Sequence, residues 1–260
     1  MKEARMKERS YEGILSSDWN ECLAPCGPFD YISFVYPELS ANMATVFRQY
    51  TGNVIPLSEA TRRIQEMLPG PITPDQMDAY LDRHFAVYTG VPELIEWCRA
   101  HQLLFMVNTT GAIGYFQRVL AKKLIPPIPA LSAHPGTVYD AGNHDPRYIF
   151  ELFEVQDKGT HTEKALELLQ PSSPTVILMG DSGGDGPHFQ WGAARNAVLI
   201  GSMTKPSLKA YCRRHDIRIT HQFGISYAAG EERAPKKEMT VDFRDLIPIL
   251  SEKIAHSPRG

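Results

Sequence analysis

The chain has 260 residues, 43% of them hydrophobic and 22% charged, with a formal net charge of −3 at pH 7. That length suits one large domain, or a core carrying a smaller insert, and it buries enough apolar surface to fold without a metal or disulfide staple. The near-neutral charge excludes the basic footprint of a nucleic-acid binder, and no run reaches the roughly 18 apolar residues of a membrane span. The four cysteines, Cys22, Cys26, Cys98 and Cys212, lack the spacing of a redox or zinc motif and read as free thiols of a reducing compartment. The opening MKEARMKERSYEG is charged and has no apolar run, so it is not expected to act as a secretory signal. The expected location is the cytoplasm.

The first short apolar run, over 13–17, reads as a buried strand ending on Asp18. Between about 28 and 88 the pattern turns helical. Phe34, Val35, Leu39, Met43, Val46 and Phe47 recur at helical spacing. Ser58 opens a second helix that Pro69-Gly70 stops, and Thr73-Pro74 opens a third as N-cap and first helical residue. Strand and helix then alternate: a helix over 91–100, a strand over 103–107, a helix over 113–121 and a short strand over 130–132. A Gly/Pro/Asn/Asp-rich loop over 135–148 leads to a strand over 150–155. Thr160 and Glu163 have capping-box spacing ahead of a helix over 164–169. The most apolar strand covers 174–179, and a helix over 189–195, a strand over 197–200, a helix over 208–215, a strand over 217–219 and a helix over 243–254 follow. This alternation predicts an α/β, Rossmann-like parallel sheet with helices on both faces. It also predicts a small all-helical cap over 28–88, inserted after the first strand into a core made of 1–27 and 89–260.

Ligands of such sheets bind beyond the carboxyl ends of the strands. Four strand ends carry polar groups: Asp18; Asn108-Thr109-Thr110-Gly111; Asp157-Lys158-Gly159; and Gly180-Asp181-Ser182-Gly183-Gly184-Asp185. Each alone is also ordinary turn or helix-cap chemistry. Together they bring carboxylates, a hydroxyl and an ammonium to one end of one sheet. Hard oxygen ligands suit Mg²⁺, and a cation, a hydroxyl and a lysine around one carboxylate suit a phosphoryl group. The nine histidines show no i, i+4 pairing for a transition metal. His188 reads as a surface group or a support behind the last motif, and 231–238 as a solvated loop. Of the aromatics Phe29, Tyr31, Phe34 and Tyr36, most are expected in the core and one or two on the substrate.

The order of these motifs resembles the haloacid dehalogenase superfamily: strand-DxD, strand-Ser/Thr, Lys, strand-GDxxxD. Asp18-Trp19-Asn20, Thr109, Lys158 and GDSGGD stand in that order across nearly the whole chain. YTGVPELIEWC followed by LLFMVNTTG looks like the phosphoserine-phosphatase-like branch, and the tail VLIGSMTKPSLKAYCRRHDI with VDFRDLIPIL looks like the methylthio-diketopentane phosphate phosphatase group. The resemblance implies a Mg²⁺-dependent phosphatase acting on a small phosphorylated molecule, working as a monomer or homodimer. By position, Asp18 is then the attacking carboxylate. Asp18, Asp181 and the main-chain carbonyl of Asn20 hold Mg²⁺ with support from Asp185. Thr109, Thr110, Gly111 and Lys158 contact the substrate, with Lys164 as the alternative lysine.

The first motif departs from the family's DxDGT. Its second aspartate is the acid that protonates the leaving oxygen, and Asn20 stands there with an amide that has no titratable proton. Three readings stay open: a phosphatase for good leaving groups such as acyl or enol phosphates, different chemistry such as C–P or C–halogen hydrolysis, and a catalytically weak phosphate-ligand-binding protein. No lysine lies within 28–88, which disfavours Schiff-base C–P chemistry from the cap.

Overall fold

A computed structural model describes residues 11–51, 54–170 and 174–255. Most of the charged N-terminal stretch lies outside the described residues. The chain runs β1 (Gly13–Ser17), α1 (Asp30–Val35), α2 (Ser40–Thr51), α3 (Leu57–Met67), α4 (Pro74–His84), α5 (Val91–Ala100), β2 (Leu103–Ala112), α6 (Ile113–Ala121), β3 (Ala130–His134), β4 (Tyr148–Glu151) and α7 (Asp157–Leu169). It continues through β5 (Thr175–Gly180), α8 (Gly186–Ala193), β6 (Val198–Thr204), α9 (Pro206–Arg214), β7 (His221–Ser226), α10 (Pro235–Glu238) and α11 (Leu246–Ala255).

All seven strands pair in parallel, in the order β4-β3-β2-β1-β5-β6-β7. Alternate residues of the central strands leave on opposite faces. Leu15, Phe105, Val107 and Ile177 join a core with α5, α6 and α11, while Ile14, Leu104, Met106 and Leu178 join a second core with α7, α8 and α9. The strands are therefore near-continuous apolar runs, as a sheet covered on both faces requires. The chain builds outward from β1 to β4, then returns to lay β5 on the other flank of β1. That reversal is the switch point where the crevice of an open α/β sheet lies, and Asp18 and Asp181 follow its two strands.

Between β1 and α5 no strand runs among the described residues, and their regular elements are helical. Thr73 caps α4 ahead of Pro74, as its sequence predicts, and forms a reciprocal box with Gln76. Arg118 of α6 holds Asp78 of α4 through two hydrogen bonds of 2.8 and 2.6 Å, and Lys122 pairs with Asp82 at 2.8 Å. Ser58 does not open α3, because the helix starts at Leu57 behind Pro56. Its first amides are satisfied from elsewhere: Leu57 and Ser58 N–H each donate at 3.1 Å to the carboxylate of Glu154.

Several sequence expectations need correction. The helix placed at 164–169 begins at Asp157, so Thr160 lies inside it and Lys158 is in its first turn rather than ahead of its cap. The Asp157 carboxylate accepts from Phe153 and Glu154 N–H at 2.9 and 2.8 Å and fixes the entry turn. The strand placed at 150–155 is Tyr148–Glu151. The strand placed at 217–219 is instead His221–Ser226, an edge strand whose exposed alternate positions weaken its apolar signal.

Candidate active site

β1 delivers Asp18 to the switch point. The Asp18 N–H donates to Met179 O at 3.0 Å, and Ser17 Oγ donates to Asp18 O at 2.7 Å, so the residue is held on the β5 flank. Lys158 reaches it from α7 and is almost wholly buried. Its ammonium lies 3.2 Å from Asp18 Oδ1 and 2.6 Å from Asp185 Oδ1. A lysine in the first turn of a helix opposes the macrodipole, and the two carboxylates offset that cost. Burial alone would lower the Lys158 pKa, but Asp18 and Asp185 outweigh it and keep the ammonium charged. Lys164 is exposed, so of the two lysines Lys158 is the one in the site.

Asp185 is buried and both its oxygens are used. Oδ1 takes Lys158, and Oδ2 accepts from the Asp181 and Ser182 amides at 2.9 and 3.1 Å. Burial raises its pKa, but Lys158 and these amides prevail and lower it. Asp181 is different. Its Oδ2 touches Lys205 Nζ at 2.6 Å without a well-directed hydrogen bond, and burial drives its pKa well up against that lysine, with Asp185 and Asp18 adding to the rise. Burial raises Asp18 too, opposed by Lys158 and reinforced by Asp185.

Oxygens of Asp18, Asp181 and Asp185 lie within 4.8 Å of one another. An all-carboxylate donor set whose ionisation is under-compensated fits a hard divalent cation such as Mg²⁺. The sign can be tested. Asp18 and Asp181 are raised on folding, so folding favours their protonated forms, and a metal can use only the ionised ones. The rise in Tm on adding Mg²⁺ should therefore grow as pH climbs from the ordinary aspartate value through the raised ones. At a free Mg²⁺ of about 100 Kd the gain is ~2.7 kcal/mol, or roughly 5–10 °C. Asp185 is lowered and runs the other way, so melts with Mg²⁺ and with EDTA are compared at each pH between about 5 and 8. A pH-independent difference would contradict this account.

Gly180 makes the arrangement possible. A Cβ on Gly180 would stand 2.5 Å from both Cβ and Cγ of Asp185. Gly180→Ala should displace Asp185 from Lys158, costing roughly 1–3 kcal/mol of stability and most of the activity. A melt with a parallel phosphate-release assay checks both, and a variant with native stability and rate would contradict this packing.

These groups open on a cavity of about 590 Å³, whose wall includes Asp18, Asn20, Thr110, Lys158 and Asp181. The neighbouring hydroxyl is used differently: Thr109 is fully buried and donates to Asn20 Oδ1 at 2.9 Å, and Gly111 N–H donates to Thr109 Oγ1 at 3.1 Å. Asn20 Nδ2 donates to Cys26 O at 3.3 Å. That carbonyl can only accept, so the amide orientation is fixed. Of the strand-end residues after Asn108, Thr110 is therefore the one on the cavity wall.

Tyr50, Lys205 and Arg233 also stand on the wall, unforeseen from the sequence, together with Glu21, the neighbour of Asn20. Glu21, at φ 60°, is bound by Lys205 on one oxygen and by Arg233 at 2.8 Å on the other. The segment read as solvated contains α10, and its Glu238 is fully buried under Arg233, Tyr88 and Tyr227. His188 is also fully buried, with Nε2 3.0 Å from Thr162 Oγ1 behind Lys158, and burial holds its pKa down to about 3. None of Phe29, Tyr31, Phe34 and Tyr36 lines this cavity; Phe47 and Tyr50 of α2 do. Met43, Val46, Phe47 and Tyr50 follow one helical face at i, i+3, i+4 and i+7, the signal that would have found them.

Among solved structures, a phosphoserine phosphatase carrying a phospho-aspartyl intermediate analogue aligns over 92% of this chain and 99% of its own, with a TM-score of 0.63 and 13% identity. A HAD family hydrolase from Salmonella enterica subsp. enterica serovar Typhi aligns over 82% and 68%, at 0.62 and 17%. Cytosolic 5′-nucleotidase IIIB bound to cytidine aligns over 94% and 88%, at 0.57 and 14%. These likenesses show the fold: the chain shares the α/β fold of these phosphatases and hydrolases. No family model matches the chain. A curated protein, the N-(5′-phosphoribosyl)anthranilate isomerase of Pelobacter propionicus, is 28% identical over 124 residues, 44% of this chain. The chain spans about half of that relative, 54% of its length. No helix among the described residues is long and apolar enough to cross a membrane.

Proposed function

We propose that the protein is a Mg²⁺-dependent phosphatase acting on a small phosphorylated molecule through an aspartyl-phosphate on Asp18. The observation that carries this reading is the buried Asp18–Lys158–Asp185 chain beside Asp181 at the switch point of the sheet. Lys158 neutralises charge on Asp18 and on an incoming phosphoryl group while staying ionised itself. Thr110 donates its hydroxyl to a phosphoryl oxygen from the cavity wall. Thr109 and Gly111 act one layer back, holding Asn20 in place. Asp18, Asp181 and the main-chain carbonyl of Asn20 would hold Mg²⁺, and Asp185 orients Lys158 and the Asp181 amide. The metal would supply charge neutralisation at the phosphoryl oxygens. The helices over 28–88 serve as a cap on a core formed by 1–27 and 89–260, with Glu154 tying α3 to the loop that leads to Lys158.

Phosphate release from p-nitrophenyl phosphate, acyl phosphates and alkyl phosphomonoesters, with Mg²⁺ or with EDTA, tests the reading. Turnover that requires the metal supports it. A complete lack of turnover, with phosphate ligands still raising the Tm, would favour the binding-protein reading instead.

A further inference from the structure

Asn20 leaves the leaving group without the acid that the first motif ordinarily supplies. In an in-line displacement the attacking and leaving oxygens lie on opposite sides of phosphorus. Asp18 attacks from the strand ends, so the leaving oxygen faces the helices that roof the cavity. Of the described residues that 28–88 puts on that wall, only Tyr50 and Thr51 carry a side-chain proton donor, and Thr51 Oγ1 donates to Phe47 O within its own helix at 2.9 Å. We infer that Tyr50 is the general acid of the site, donating its phenolic proton to the leaving oxygen in place of the missing aspartate.

The proposal rests on the phosphatase reading through Asp18. Tyr50 extends from α2 to the loop after β5: a Cβ on Gly184 would stand 3.5 Å from its phenolic oxygen. The ring's hydroxyl end therefore lies beside the motif that carries Asp181 and Asp185. Thr110 lines the same cavity and keeps its own hydroxyl proton for the phosphoryl oxygen, so the leaving oxygen's proton must come from another group. Tyr50 shares its cavity wall with Asp18, Lys158 and Asp181, the groups that would surround the phosphoryl group. Burial pushes its pKa up, with Lys158 pulling the other way, so it rests protonated and its anion has an ammonium nearby.

The steps balance. An Asp18 carboxylate oxygen attacks phosphorus, the bond from phosphorus to the leaving oxygen breaks, and that electron pair takes the Tyr50 proton, releasing the alcohol. Water then attacks the aspartyl-phosphate and gives one proton to the Tyr50 anion. The bond from phosphorus to Asp18 breaks with its pair returning to the carboxylate, and inorganic phosphate leaves. Tyr50 acts as acid in the first step and base in the second, as microscopic roles of one group require.

Tyr50→Phe keeps the ring that packs on Phe47 and removes only the hydroxyl. The test compares kcat on an alkyl phosphomonoester with kcat on p-nitrophenyl phosphate, whose leaving group needs no proton. The expected result is a loss of about 10²–10³-fold on the alkyl ester and a change of only a few-fold on the nitrophenyl ester. Equal losses on both, or no loss on the alkyl ester, would overturn the assignment of the acid while leaving the Asp18 reading intact. Wild-type protein with no Asp18-dependent turnover of either ester would overturn both.

Discussion

Asp18→Asn should abolish phosphate release, by about 10⁴-fold or more, while the protein stays folded. The amide is nearly isosteric, and its oxygen can still accept from Lys158, which lies 3.2 Å from Asp18 Oδ1. It lacks the nucleophilic charge. It also removes one of three crowded carboxylates, whose ionisation burial opposes. The metal-free Tm should hold or rise, and the Mg²⁺-dependent gain should shrink. Loss of activity with retained stability separates a chemical role from a structural one. Unchanged turnover on every phosphate ester would remove Asp18 from the mechanism.

Lys158→Met should damage both fold and activity. The side chain is 2% exposed and bridges Asp18 and Asp185, so its loss leaves two buried carboxylates without their shared cation. Breaking a buried pair by deleting one partner costs about 3–5 kcal/mol, a fall in Tm of roughly 10 °C for a chain of this size. Protonation of Asp18 limits the damage, because burial already raises that group. Assayed where the variant is folded, phosphate release should drop by a further ~10²–10³-fold, the usual cost of one preorganised charge donor. A melt and an assay on the same sample check the two effects. A variant of native stability would show that the carboxylates are neutralised from elsewhere, against the network described for the site.

The parallel sheet was legible because its strands are unbroken apolar runs between helical periods, and the polar residues that follow them converge in space. Asp18, Lys158, Asp181 and Asp185 were readable for that reason. The position of Lys158 within its helix was misread because Thr160 and Glu163 imitate a capping box, whereas the entry turn is fixed by Asp157. Which of Thr109 and Thr110 faces the cavity was closed to sequence, since it depends on how β2 ends against Asn20. Lys205 and Arg233 were missed for a different reason: they reach the site from distant loops through Glu21, a contact across 184 and 212 positions that no local period encodes. β7 escaped because an edge strand buries only alternate residues.

Acid quenching during turnover of an activated phosphate ester, followed by peptide mapping, would show directly whether Asp18 carries the phosphoryl group. The expected product is a hydroxylamine-sensitive phosphoryl group on the peptide that carries Asp18, absent from Asp18→Asn. Steady turnover with no trapped phosphoenzyme under any quench, or with the phosphoryl group on another residue, would contradict it.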